Sequence, residues 1–170
     1  KRNDKSSGCL HATATAWTLF LALVVFAGDG SSLYAKIGAL TSITLVVSLI
    51  ASYTFGKVID KRHGRALLVT STIVNSFTHL VRPFVGDWKG VIVNNTVNEV
   101  ATTGYSMAFM RGMFDTADQS GYRFAYLFLI ELVANAGAMF AAALLGTCVL
   151  IGNGFTGFQA FFAITALLTL

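Results

Sequence analysis

Charge is scarce in this sequence: Asp, Glu, Lys and Arg together make up 12% of its 170 residues, about half the share an ordinary soluble domain carries. Hydrophobic residues make up 55%, and the mean hydropathy is +0.67. That is too much apolar surface and too little charge for a water-facing globule, and too much Leu, Val, Phe and Ala for disorder. Cysteine occurs twice, too rarely for a disulfide scaffold, and Cys9 and Cys148 have no ligand spacing around them, so no metal and no cofactor is expected. Gly-x-Ser-x-Gly, His-Glu-x-x-His and phosphate-loop patterns are all missing. With them go the common routes to an enzyme. Heptads, low-complexity stretches and internal domain boundaries are absent too. Composition thus places the chain in the integral membrane class, all-α, as a single domain over residues 1–170.

A transmembrane helix needs roughly 20 mostly apolar residues. Six such stretches are predicted, at Ala12–Ala27, Ile37–Gly56, Ala66–Val85, Val91–Met110, Phe124–Leu144 and Phe155–Leu170. The first ends in the turn-like Gly28-Asp29-Gly30-Ser31-Ser32. Because five comparable segments follow it, it is not read as a signal peptide.

The formal charge of +4 suggests nucleic acid until the bases are placed. Lys1, Arg2, Lys5, Lys57, Lys61, Arg62, Arg65, Arg111 and Arg123 fall on one side of the six-span topology and Lys36, Arg82 and Lys89 on the other, nine against three. An excess of Lys and Arg marks cytoplasmic loops. Both ends are therefore expected in the cytoplasm, with the chain in the plasma (inner) membrane, the lipid bilayer as its partner and no nucleic-acid role. A start without methionine and a stop inside an apolar run are expected of a piece of a longer protein.

Between the second and third stretches the chain reads Phe55-Gly56-Lys57-Val58-Ile59-Asp60-Lys61-Arg62-His63-Gly64-Arg65. A helix ending at a small residue, an acid one turn later among several bases and a glycine for the reversal are what this segment supplies. An acid in a basic loop is expected to have a fixed partner: Arg65, Arg111 or the positive end of another helix. This loop resembles the signature of the major facilitator superfamily, Gly-x-x-x-Asp-Arg/Lys-x-Gly-Arg. Gly56, Asp60 and Lys61 are in register, and Gly64 and Arg65 arrive one residue late. The resemblance implies one six-helix half of a twelve-helix carrier, a bundle of three plus three inverted repeats, although no repeat is visible as sequence similarity. It further implies that acid and bases latch the cytoplasmic side against a second six-helix half. The Gly-Pro pair of that superfamily's drug antiporters has no counterpart, since the fifth helix reads Asn135-Ala136-Gly137-Ala138.

Polar residues inside the apolar stretches are the candidate site. Asn94, Asn95, Asn98, Glu99, Thr102, Thr103 and Ser106 cover about half the circumference of the fourth helix, which a lipid-facing helix would not do. Glu131 and Asn135, at i and i+4, share a face of the fifth, with Glu131 on the order of 12 Å into the membrane. Asn95, Asn98, Glu99, Thr102, Glu131 and Asn135 are therefore read as cavity-lining or proton-coupling residues. An acid in such a cavity, at Glu99 or Glu131, can change its charge with the side that is open, as a proton-coupled carrier requires. The competing reading is interhelical hydrogen-bond glue. Arg82-Pro83 is expected to end the third helix, with anion binding by Arg82 as a second reading. The ridges Ser48-x-x-x-Ser52-x-x-x-Gly56 and Ala134-x-x-x-Ala138-x-x-x-Ala142-x-x-x-Gly146 read as packing devices, and Trp17 and Trp88 as interface aromatics.

The function expected is a secondary transporter moving a small solute by alternating access, with protons as a second partner. A non-transporting receptor or scaffold on the same fold stays open. A six-helix phosphotransferase using CDP-alcohols is disfavoured, because Asp29-Gly30 continues Ser31-Ser32-Leu33-Tyr34 and the spaced aspartates that would hold its metals do not follow.

Overall fold

The computed structural model describes residues 15–26, 30–61, 63–152 and 155–169. Among these the chain is all-helical, with no strand. Its six helices are α1 (Thr15–Val25), α2 (Leu33–Asp60), α3 (Gly64–Val81), α4 (Trp88–Ser120), α5 (Arg123–Ile151) and α6 (Phe155–Thr169).

The ends of the helices follow local chemistry. The last residues of α1, Leu21–Val25, widen into a π-helical turn closed by Phe26 N–H donating to the Leu21 carbonyl at 2.8 Å. As expected from Arg82-Pro83, α3 stops at Val81 and a 3₁₀ turn, Arg82–Phe84, follows. The Asp87 carboxylate then caps α4 by accepting from Gly90 N–H. Gly121, at φ 73°, ends α4 in the left-handed conformation that glycine adopts without penalty.

Helix α4 is the axis of the bundle, packed on α3, α2 and α5, while α6 lies against α3 and α5. An aromatic core closes one end: Trp17, Phe20 and Leu21 of α1 meet Phe158, Phe161 and Phe162 of α6 and Val91 of α4. Phe20 alone has Trp17, Phe155, Phe158 and Phe162 rings about it. The rest of the interior is unusually polar, with Ser71, Asn75, Ser76, Thr78 and His79 of α3 and Asn94 and Thr103 of α4 all buried. Large apolar side chains point outward instead, Leu45, Leu49 and Ile50 on α2 and Phe124, Phe128, Leu132, Met139 and Phe140 on α5.

Two helices, α2 and α5, are long and apolar enough to cross a membrane. Neither is covered as the core helix of a soluble protein would be. The other four stretches expected to span do not meet that description by length and composition. Helices α1 and α6 are short, α3 carries Asn75, His79 and five Ser or Thr, and α4 carries the polar arc.

Several boundaries differ from expectation. Helix α2 does not end at Gly56 but runs on to Asp60, since nothing in Lys57-Val58-Ile59 opposes helix, and the connection shrinks to Lys61–His63. Helix α4 continues ten residues past Met110, so Arg111 lies within it and not in a loop, where it pairs with Asp115 one turn on at 3.2 Å. Arg123 opens α5 and reaches back to Asp118 at 3.3 Å. Trp17 is no interface residue but is buried in the core.

The first small-residue ridge packs as expected: Ser48 meets Thr103 at 3.4 Å, and a Cβ on Gly56 would touch Met107. The second does not, because Ala142 and Gly146 face outward and Ala141 is the buried residue of α5. Cys9 and the segment 27–29 lie outside the described residues.

Candidate functional site

The polar arc of α4 meets a different helix at each step. Asn95 is bonded on both sides, its Oδ1 accepting from Trp17 Nε1 of α1 at 3.2 Å and its Nδ2 donating to Thr44 of α2 at 2.7 Å. One turn deeper, Asn98 accepts from Thr78 of α3 at 3.0 Å. Thr102 then donates to Asn75 of α3 at 3.5 Å. The spacing of 3.6 residues per turn rotates successive side chains onto successive neighbours, so one polar stripe ties three helices to α4.

Where α1, α2 and α4 diverge above this stripe, a cavity of about 210 Å³ opens. Trp17, Thr18 and Leu21 come from α1, Ile37, Leu40, Thr41 and Thr44 from α2, Arg82 from the turn after α3, and Asn95, Asn98 and Glu99 from α4. The π-helical turn of α1 borders it at Leu21.

The wall holds one base and one acid. Arg82 is 2% exposed, its guanidinium carbon 4.9 Å from the Trp17 ring centroid and 5.6 Å from that of Phe162. Cation–π contact with two rings is what keeps a guanidinium inside an aromatic core. Among the described residues no carboxylate pairs with it. Its Nε and Nη1, like both ring nitrogens of His79 one turn earlier on α3 and Nδ2 of Asn94, are buried without a hydrogen-bond partner. Glu99 is half-buried, with the hydroxyls of Ser48 and Thr103 beside its carboxyl. The ion pairs among the described residues, Arg111–Asp115 and Arg123–Asp118, lie elsewhere. Arg82 and Glu99 therefore share a cavity without neutralising each other. A buried charge is costly unless compensated, and buried unsatisfied groups of this kind ask for a reason.

Of the residues singled out from the sequence, Asn95, Asn98 and Glu99 are brought together here. Thr102 lies one turn below and bonds to α3, outside the cavity wall. Glu131 and Asn135 are separated from it altogether. They lie on the exposed face of α5 among Phe128, Leu132 and Met139, and Asn135 Nδ2 donates to Glu131 Oε1 at 3.1 Å and to its carbonyl at 2.8 Å. The i, i+4 pairing is as expected; the pair lines a separate, open groove of about 430 Å³ on that face, away from Arg82 and Glu99.

The signature residues are at the opposite end of α2. Asp60 and Lys61 are exposed, and no ion pair forms at Asp60 among the described residues. Among the described residues the expected partner is thus missing: Arg111 is taken by Asp115, and no ion pair forms at Arg65. Gly64, Arg65, Arg111 and Asp115 border a groove of about 480 Å³ between α2, α3 and α4. An equally large groove between α4 and α5 is lined by Leu68, Phe109, Met113, Leu129 and Val133 among others, with no charged group.

Trp17 and Thr44 carry parts of the site that the sequence did not disclose. Arg82 had a visible signal, a base inside an otherwise apolar segment. A Trp at helical spacing from other aromatics looks the same whether it packs or lines a cavity. Compared with protein-family models, with curated proteins and with solved structures, the chain has no match.

Proposed function

We propose that this chain forms one six-helix half of a secondary transporter of the major facilitator type, carrying a small solute across a membrane by alternating access against a second six-helix half. The observation that carries the reading is the cavity between α1, α2 and α4, with Arg82 and Glu99 on one wall and no ion pair between them. Intramembrane charges that are not spent on each other usually meet a substrate or an ion. The outward apolar faces of α2 and α5 and the polar interior of α3 and α4 suit a bundle whose solvent is lipid. In this reading all six helices span the plasma (inner) membrane with both ends cytoplasmic, Glu99 serves proton coupling, and no chemical step is catalysed.

Asp60, exposed and without an ion pair among the described residues, with Lys61, Gly64 and Arg65 beside it, forms the cytoplasmic latch to the other half. That assignment rests on the resemblance of the loop and on the lack of an ion-pair partner at Asp60 within the described residues. The second reading, a scaffold without transport, is favoured by one observation. Asn95, Asn98 and Thr102 are bonded to neighbouring helices, as structural glue would be.

Proteoliposomes of the full-length protein separate the two. A uniformly ¹³C-labelled extract of small metabolites is offered outside, a pH gradient is imposed, and the lumen is analysed by mass spectrometry. A carrier accumulates at least one solute, responds to the gradient and is impaired by Glu99→Gln. If nothing accumulates and Glu99→Gln only lowers thermal stability, the scaffold reading wins.

A further inference from the structure

The cavity's wall is a statement about the charge of what fits it. Among the described residues lining it, Arg82 and Glu99 are the two charged side chains and the others are neutral. An anionic solute attracted to Arg82 would meet the Glu99 carboxylate, and a cation drawn to Glu99 would meet the guanidinium. A solute carrying both charges satisfies both. Resting on the carrier reading above, we propose that the solute is a small zwitterion of the amino-acid type, its carboxylate bound by Arg82 and its ammonium by Glu99.

The remaining groups fit that orientation. Arg82 lies against the Trp17 and Phe162 rings, and two of its three guanidinium nitrogens find no acceptor among the described residues. A planar guanidinium matches a carboxylate better than any other side chain does. Asn95 is held in place by the protein itself, its oxygen accepting from Trp17 and its amide nitrogen donating to Thr44. It works as a spacer, holding Trp17 of α1, over whose ring the Arg82 guanidinium lies, and Thr44 of α2 against α4, one turn above Glu99. Ser48 and Thr103 beside the Glu99 carboxyl orient it.

Size narrows the class. About 210 Å³ is below the roughly 300–1,000 Å³ of pockets for drug-sized ligands. Leu21, Ile37 and Leu40 supply an apolar wall, suited to a short side chain and not to a third charge.

The test uses the full-length protein in lipid nanodiscs, with tritiated alanine as probe and glycine, serine and proline as competitors. Propionate and ethylamine are the two halves of alanine, each with one charge removed. Alanine is expected to bind at least tenfold more tightly than either half. Arg82→Met is expected to reduce alanine binding more than tenfold while leaving ethylamine binding unchanged or tighter, and Glu99→Gln to do the converse with propionate. Arg82→Lys, which keeps the charge and loses the fork, is expected to fall between and decides the matter where Arg82→Met does not fold. The proposal is overturned if none of the four amino acids binds, if propionate or ethylamine binds as tightly as alanine, or if folded variants bind alanine as wild type does. Accumulation of some other solute in the proteoliposome experiment would then leave the carrier reading standing without its zwitterion.

Discussion

The guanidinium of Arg82 lies over the indole of Trp17, 4.9 Å from its centroid, and among the described residues no carboxylate completes the arrangement. Stability and function therefore make opposite demands on this position. Replacing a buried charge by an apolar side chain of similar volume is often neutral or stabilising, so Arg82→Met is expected to hold or raise the melting temperature of the detergent-solubilised protein. Trp17→Ala should lower it sharply, with about 3–5 kcal/mol of stability lost, as for a large buried aromatic. A marked loss of stability in Arg82→Met would mean that the cation–π contacts are structural and the charge is not held for a ligand.

Asn95 gives a second, separable expectation. Asn95→Ala removes bonds to two helices, and interhelical side-chain hydrogen bonds in membranes average about 0.6 kcal/mol each. Unfolding in mixed micelles should report a loss on the order of 1 kcal/mol. In a double-mutant cycle, Thr44→Val should add little once Asn95 is gone, because the 2.7 Å bond between them has already been removed. Full additivity would show that the bond carries no coupling.

Much of this architecture was legible because it depends on one-dimensional signals. Six helices in order, the stop at Arg82-Pro83 and the polar stripe of α4 follow from periodicity and from proline's missing N–H. Asn95, Asn98 and Glu99 were found as a stripe, but a stripe has no address: which turn meets a cavity and which meets α3 depends on where neighbouring helices diverge. That divergence is set by Trp17, Phe20 and Phe162, which look like ordinary apolar residues in the sequence. Helix ends were misjudged for a simpler reason. Lys57-Val58-Ile59-Asp60 and Arg111 through Ser120 are polar or mixed yet helix-compatible, so counting apolar residues stops a helix before its backbone does.

Gly104 marks the tightest approach of α2, α3 and α4. A Cβ there would stand 2.5 Å from Ser71 Oγ, 3.1 Å from the Phe55 ring and 3.3 Å from Leu67. Gly112, further along the same helix, has open space in that direction. Gly104→Ala is expected to cost about 1–3 kcal/mol through overpacking, whereas Gly112→Ala should gain up to about 1 kcal/mol from helix propensity. Ser71→Gly should recover part of the Gly104→Ala loss. Opposite signs for two identical substitutions in one helix, measured as melting temperatures, would locate the crossing, and equal signs would displace it.

The ends of α2 and α4 allow the latch to be separated from folding. Arg111 and Asp115 form an exposed i, i+4 pair, a class worth about 0.3–0.5 kcal/mol, so Arg111→Ala should barely move the melting temperature. Asp60→Asn should be equally silent in stability, having no ion pair among the described residues to lose. In transport it should not be silent if Asp60 meets the second half: the initial rate of uptake should fall at least severalfold. Loss of stability without loss of rate would place the partner of Asp60 within this half.

The number of spans is settled by sidedness. If α2 and α5 alone crossed the membrane, Lys61, Gly86 and Ser120 would all lie between two crossings and face the same compartment. With six spans, Lys61 and Ser120 face the cytoplasm and Gly86, between α3 and α4, faces the opposite side. Single cysteines at these exposed positions, introduced into a chain whose Cys9 and Cys148 are replaced by serine, can be labelled in intact cells with a membrane-impermeant maleimide. Six spans predict labelling of Gly86→Cys alone, with Lys61→Cys and Ser120→Cys reacting after permeabilisation. Identical behaviour of all three would reduce the bundle to two crossings, leave the polar interior of α3 and α4 outside the bilayer, and remove the lipid setting in which Arg82 and Glu99 are costly to bury.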